Sequence, residues 1–156
     1  MKGLIAALCA AVVLTVCFGL PFRVHDTARL LPLKTVQVDL DGEGVLLRSE
    51  QGEGRGGNWR EAVLDLCEHA PGQIFFDTAE QLVLCDRAMT IVPEILEEET
   101  LRPAAQVYRA RELRQAEGLH AYLSAHESGV TVGDLRAALL RGESVSLPPV
   151  EESADG

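Results

Sequence analysis

The chain has 156 residues, 47% of them hydrophobic and 24% charged, and a formal net charge of −10. That balance allows one globular domain with a real core and excludes an intrinsically disordered chain. So acidic a chain repels phosphates, which excludes nucleic acid as a partner.

The N-terminus comes first. Lys2 precedes residues 4–20, which carry no charged side chain, and Pro21 ends the run. The run is long for the apolar part of a secretory signal and short for a membrane-spanning helix. Three readings stay open: a cleaved secretory signal, a retained anchor helix, and a lipoprotein signal with the lipid on Cys17. Leu14 stands three places before Cys17, as a lipoprotein signal requires, whereas Val16 fills a position that ordinarily takes a small residue. All three export the domain. The reading adopted is a membrane anchor, by lipid on Cys17 or by the helix itself. The expected organisation is a signal or anchor at 1–20, a linker at 21–32, a folded domain at 33–142 and a mobile acidic tail at 143–156.

Residues 33–40 alternate apolar with polar, the pattern of a half-buried strand. DGEG at 41–44 signals a turn and 45–50 a returning strand, so a β-hairpin opens the domain. GEGRGG at 52–57 reads as a glycine-rich turn into an amphipathic helix, with Asn58 as N-cap and Trp59, Ala62, Val63, Leu66 and Cys67 on its apolar side. Residues 73–76 and 81–85 are short apolar strands separated by a turn. A helix is expected over 87–99, starting nearer Thr90 or kinked because Pro93 lies inside it. A strand follows at 105–108 and an amphipathic helix at 113–126, ended by Gly129. The last helix spans 132–140, with Thr131 as N-cap and Gly142 just past its end. The tail, including 147–150, is expected to be extended and mobile. Strands and helices mix without strict alternation, which predicts an α+β fold: a mixed sheet with a leading hairpin and about four packed helices, preceded by an N-terminal apolar helix.

The chemistry-bearing residues are sparse. Gly52, Gly54 and Gly57 match the spacing of a dinucleotide-binding fingerprint, and Asp77 follows at about the distance of a ribose-binding acid. The strand before them ends in polar residues, which does not suit the buried central strand of such a fold. A structural glycine turn is therefore the main reading, with a small-ligand or nucleotide site at 52–57 as the alternative. His69, His120 and His126 read as solvated helix residues, Ser124 and Ser128 have no nucleophile motif, and 97–99 is a solvated charge run. Asp39 and Asp41 flank a turn without the spaced ligand set of a calcium loop. Export permits a Cys67–Cys85 disulfide, and two buried free thiols are the plainer alternative. No catalytic residue, cofactor or metal site is expected.

Taken in order, these blocks resemble a known family. Val36 to Asp39, then Gly52-Glu53-Gly54 with Glu61-Ala62 and Leu66, are similar to a first strand and a "GEGxTxxEAxxxL" segment. The strands at 74–84, the later strand at 101–110 and the closing helix at 130–142, with Leu147-Pro148 after it, follow in the same order. The series resembles the N-terminal domain of the spore germination receptor C subunits, the Ger(x)C lipoproteins of spore-forming Firmicutes. Where that family has an "FGH" turn, this chain has Phe76-Asp77-Thr78. The resemblance implies a non-catalytic protein tethered to the outer face of the cytoplasmic or spore inner membrane. Its implied partners are the membrane and membrane-bound germination receptor subunits.

Overall fold

The structure, a computed structural model, describes residues 30–150 except positions 43 and 100. Along the chain lie β1 (Leu30–Pro32), β2 (Thr35–Asp41), β3 (Gly44–Ser49), β4 (Gly52–Gly56), α1 (Trp59–His69), β5 (Gln73–Phe75), β6 (Gln81–Cys85), α2 (Val92–Glu97), β7 (Gln106–Ala110), α3 (Leu119–Ala125) and α4 (Val132–Arg141). Five strands form a mixed sheet in the order β4-β3-β2-β6-β7. The β2–β3 and β3–β4 pairs are antiparallel, and β2–β6 and β6–β7 are parallel. The fold is α+β, with the leading hairpin and the four helices expected. The N-terminal apolar run lies outside the described residues.

The alternation at 33–40 explains why β2 sits in the middle. Side chains of a strand alternate between faces, so Val36 and Val38 face one side and Thr35, Gln37 and Asp39 the other, all of them buried. The first face carries the larger core, with Leu47, Leu82, Leu84 and Val107 from the sheet against Trp59, Ala62 and Leu66 of α1, Ile95 of α2 and Leu135 of α4. On the second face, Val83, Cys85, Tyr108 and Ala110 pack against Leu119 and Leu123 of α3 and against Val150.

The two cysteines end up on opposite faces. Cys67 packs against the first core, Cys85 belongs to the second, and both are free thiols. The sheet stands between them, which removes the Cys67–Cys85 disulfide. Burial pushes the Cys85 thiol from its ordinary 9.0 up to about 12. Because the unfolded thiol loses its proton first, this group favours unfolding as pH climbs from about 9 towards about 12. Cys85 is therefore expected to resist iodoacetamide at pH 8 in the native state and to react once urea unfolds the chain. Rapid native labelling at Cys85 would contradict the packing of α3 on the sheet.

Several elements differ from the sequence reading, each for a physical reason. Residues 52–56 form strand β4, not a turn. Residues 30–32, expected as linker, form β1, which pairs in parallel with β5 in a separate two-stranded sheet. The apolar runs at 73–76 and 81–85 are therefore in different sheets, divided by a 3-10 turn at Phe76–Thr78. Thr78 holds that turn in place: its Oγ1 accepts from Leu33 N–H at 2.8 Å and donates to the Phe75 carbonyl at 2.6 Å. The helix expected over 87–99 is a 3-10 segment followed by α2, with Pro93 in the first turn, where no N–H is needed. The helix expected from residue 113 begins only at Leu119. Gly118 adopts a left-handed φ of 76° before it, and the backbone of Arg114 is engaged elsewhere, as described below. Residues 147–150 are extended yet docked: Arg109 N–H donates to Pro148 O at 3.0 Å and Val150 N–H to Arg109 O at 2.7 Å, with Leu147 and Val150 buried. The expected mobile tail thus begins its course as an edge segment alongside β7.

Candidate functional site

The glycine segment at 52–57 is the motif for which the sequence offers a ligand reading. Antiparallel pairing with β3 makes it a strand, and α1 lies directly across it. A Cβ on Gly54 would stand 2.3 Å from the Ala62 carbonyl oxygen and 2.6 Å from Leu66 N; one on Gly56 would stand 2.4 Å from Ala62 N. The glycines let the helix backbone approach the strand, so the space a phosphate would need is filled by α1. Gly57 N–H donates to Glu61 Oε2 at 2.8 Å, and Asn58 Oδ1 accepts from Glu61 N–H at 2.9 Å, which caps α1 as expected. Asp77 sits on the exposed 3-10 turn after β5, in a different sheet from β4, so the structure does not assemble a dinucleotide fingerprint.

The polar side chains on the second face of the sheet form an internal scaffold. Gln37 Nε2 donates to the Arg114 carbonyl at 2.9 Å and its Oε1 accepts from Arg114 N–H at 2.8 Å. One buried amide thereby satisfies both backbone groups of Arg114 and holds 111–118 out of a helix. Gln81 Oε1 accepts from Thr35 Oγ1 at 2.7 Å and meets His120 Nδ1 at 3.2 Å, while its Nε2 donates to Ser124 Oγ at 3.0 Å. Ser124 Oγ donates to the His120 carbonyl, not to its ring, so the two are helix neighbours with no nucleophile–base contact. Asp39 is 1% exposed and forms a two-pronged ion pair with Arg87. Asp41 pairs at the surface with Arg55. Among the described residues, no buried side-chain nitrogen or oxygen lacks a partner and no cluster of three metal-ligating side chains occurs.

The remaining sequence candidates sit in exposed or structural roles. His69 lies against its own helix, where the Asp65 carbonyl and carboxylate raise its pKa. His126 stacks on Tyr122 at 4.5 Å, and Ser128 bonds Gln106 and the Val130 carbonyl. Glu98 of the acidic run pairs with Arg60 at 3.4 Å. Cys17 lies outside the described residues. Among those residues no helix is long and apolar enough to cross a membrane.

Two surface features were not visible in the sequence. The first is an apolar groove of about 270 Å³ between α2 and α4, with Val92, Pro93 and Leu96 on one wall and Leu135, Ala138 and Leu139 on the other. Arg136 fixes its width by donating from Nε to the Leu96 carbonyl at 2.9 Å and from Nη2 to the Glu98 carbonyl, which ties the end of α2 to α4. Leu139 in the groove wall is 44% exposed, and Leu140, the next residue of α4, is 89% exposed. The helical spacing in 132–140 marks Leu135 and Ala138 as inward, but only the fold shows that α2 stops short of covering Leu139. The second feature is a pair of adjoining cavities of about 440 and 400 Å³ beyond the carboxyl end of β7; both are lined by Arg111, Arg114 and Val150.

No protein-family model, curated protein or solved structure matches this chain.

Proposed function

We propose that the chain is a membrane-tethered, non-catalytic contact domain, similar in role to the N-terminal domain of the spore germination receptor C subunits. It acts on the outer face of the membrane by docking membrane-bound receptor subunits. The observation that carries this reading is the apolar groove between α2 and α4, whose wall residue Leu139 is half exposed and is followed on α4 by the exposed Leu140. Singly exposed leucines are ordinary on a protein surface, whereas an exposed leucine that lines an apolar groove, as Leu139 does, marks a place where another apolar surface seats. A groove between two helices suits the apolar face of a partner helix. Tethering by residues 4–20 or by lipid on Cys17 confines the domain to the surface where such a partner lies, so a modest interface suffices.

The experiment is the double substitution Leu139→Glu and Leu140→Glu in the host organism. Neither residue is fully buried, so the fold is expected to survive, checked by an unchanged circular-dichroism spectrum. The expected results are at least a tenfold loss of co-purifying receptor subunit from solubilised membranes and slower nutrient-triggered germination. Unchanged co-purification and unchanged germination in the folded variant would sink the proposal.

A further inference from the structure

The apolar groove between α2 and α4 has a third side that neither helix supplies. Val145 and Leu147 line it together with the helix residues. Both pack on the larger core, Leu147 buried and Val145 half-buried. They lie past the end of α4, where Glu143 N–H donates to the Ala138 carbonyl at 2.9 Å. Among the described residues no hydrogen bond holds 144–147. Burial alone keeps Val145 and Leu147 in place until the chain reaches β7.

There the segment is clamped. Arg109 N–H donates to the Pro148 carbonyl at 3.0 Å, Val150 N–H to the Arg109 carbonyl at 2.7 Å, and Arg114 Nη2 to the Val150 carbonyl at 3.3 Å. Pro148 and Pro149 have no N–H, so within 148–150 only Val150 can donate one to the strand. The apolar residues on either side of the prolines go to different cores, Leu147 to the first and Val150 to the second. Leu147 also lines the cleft of about 400 Å³ that Asp86 forms with Arg109, Arg111 and Arg114, so one residue is common to the groove and the cleft.

We propose that the pairing of 148–150 with β7 sets the groove: this C-terminal clamp holds Leu147 as its third wall, and partner docking depends on it. The inference rests on the docking role given to the groove above and adds its control. With the clamp closed, a partner's apolar surface meets Leu147 as well as the two helices. With 148–150 off the strand, Leu147 is tied only through 144–146, which no hydrogen bond holds, and that wall is lost. The coupling works both ways, since a partner that binds the closed groove more tightly than the open one also holds the clamp shut. Anything that shifts 147–150 from the side of the cleft therefore acts on docking at the groove.

The test is Val150→Pro in the full chain, which removes the N–H given to Arg109 and alters no residue of the groove lining. Hydrogen exchange at the Arg109 amide is expected to quicken roughly tenfold, the scale of one lost hydrogen bond. The methyl resonances of Leu96 and Leu139, one on each helical wall, are expected to shift with it, at an unchanged circular-dichroism spectrum. In the host, cross-linking of a membrane partner from a photoreactive residue at position 140 should fall roughly fivefold, the low end of coupling between sites. Faster Arg109 exchange with unmoved methyl resonances would overturn the proposal, because the groove would then stand without the clamp. Unchanged Arg109 exchange would overturn it too, as would shifted methyl resonances with undiminished cross-linking. Absence of any cross-link in the parent chain overturns the docking role itself, and the exchange and methyl results then decide separately whether the clamp sets the groove.

Discussion

Replacing Gly54 with alanine is expected to destabilise the domain by roughly 3 kcal/mol, at the upper end of what overpacking a core usually costs. The added methyl meets the Ala62 carbonyl at 2.3 Å and Leu66 N at 2.6 Å, both backbone atoms that cannot swing aside. Helix α1 would have to lift from β4, and with it Leu66, which is 1% exposed. Gly57→Ala is the control. Its new Cβ meets only Glu61 Oε2, at 3.2 Å, the mobile end of a side chain, so it should stay within about 0.5 kcal/mol of the parent. Urea unfolding followed by circular dichroism measures both. If the segment were a phosphate cradle, the order would change: Gly54→Ala would keep its stability and lose a nucleotide ligand.

Trp59→Ala is expected to cost about 4 kcal/mol, the scale for deleting a buried aromatic ring. Trp59 is 1% exposed and stands edge-on to Phe76 at 6.3 Å and 74°. It is also the first residue of α1, where its N–H donates to Glu94 Oε1 of α2 at 2.8 Å. The ring packs α1 against the turn after β5, and its loss loosens that contact, while the backbone bond to Glu94 survives the substitution. The same urea titration reads the effect, and a loss below about 1 kcal/mol would mean that α1 does not depend on this packing.

The sequence disclosed the elements whose signals are local. Asn58 and Thr131 cap the helices that they precede, Gly142 ends α4 with a φ of 69°, and alternation marks β2. The misread stretches depend on partners far away along the chain. Gly52 to Gly56 look like a turn because glycine disfavours strands, and only the helix lying on them explains their number. Residues 113–118 have helical spacing, but Gln37, distant in sequence, captures the Arg114 backbone and stops the helix from starting there. Leu30 to Pro32 carry too short a pattern to read, and β5 supplies the pairing. The arginine cleft was illegible for the same reason: Arg109, Arg111 and Arg114 sit close in the chain, but their convergence needs the strand end, the non-helical loop and the docked Val150 together.

The central claim, that the face beside the α2–α4 groove is where the domain meets a membrane-bound partner, is tested most directly by a photo-crosslinking amino acid placed at position 140 in the full chain in its own host. Position 64 on α1 is the reference, since Leu64 is 55% exposed and lies on a different helix. Residue 140 is expected to cross-link to a membrane-embedded germination receptor subunit, and residue 64 is not. Equal cross-linking from both positions, or none from 140 in a folded and membrane-associated chain, would contradict the account.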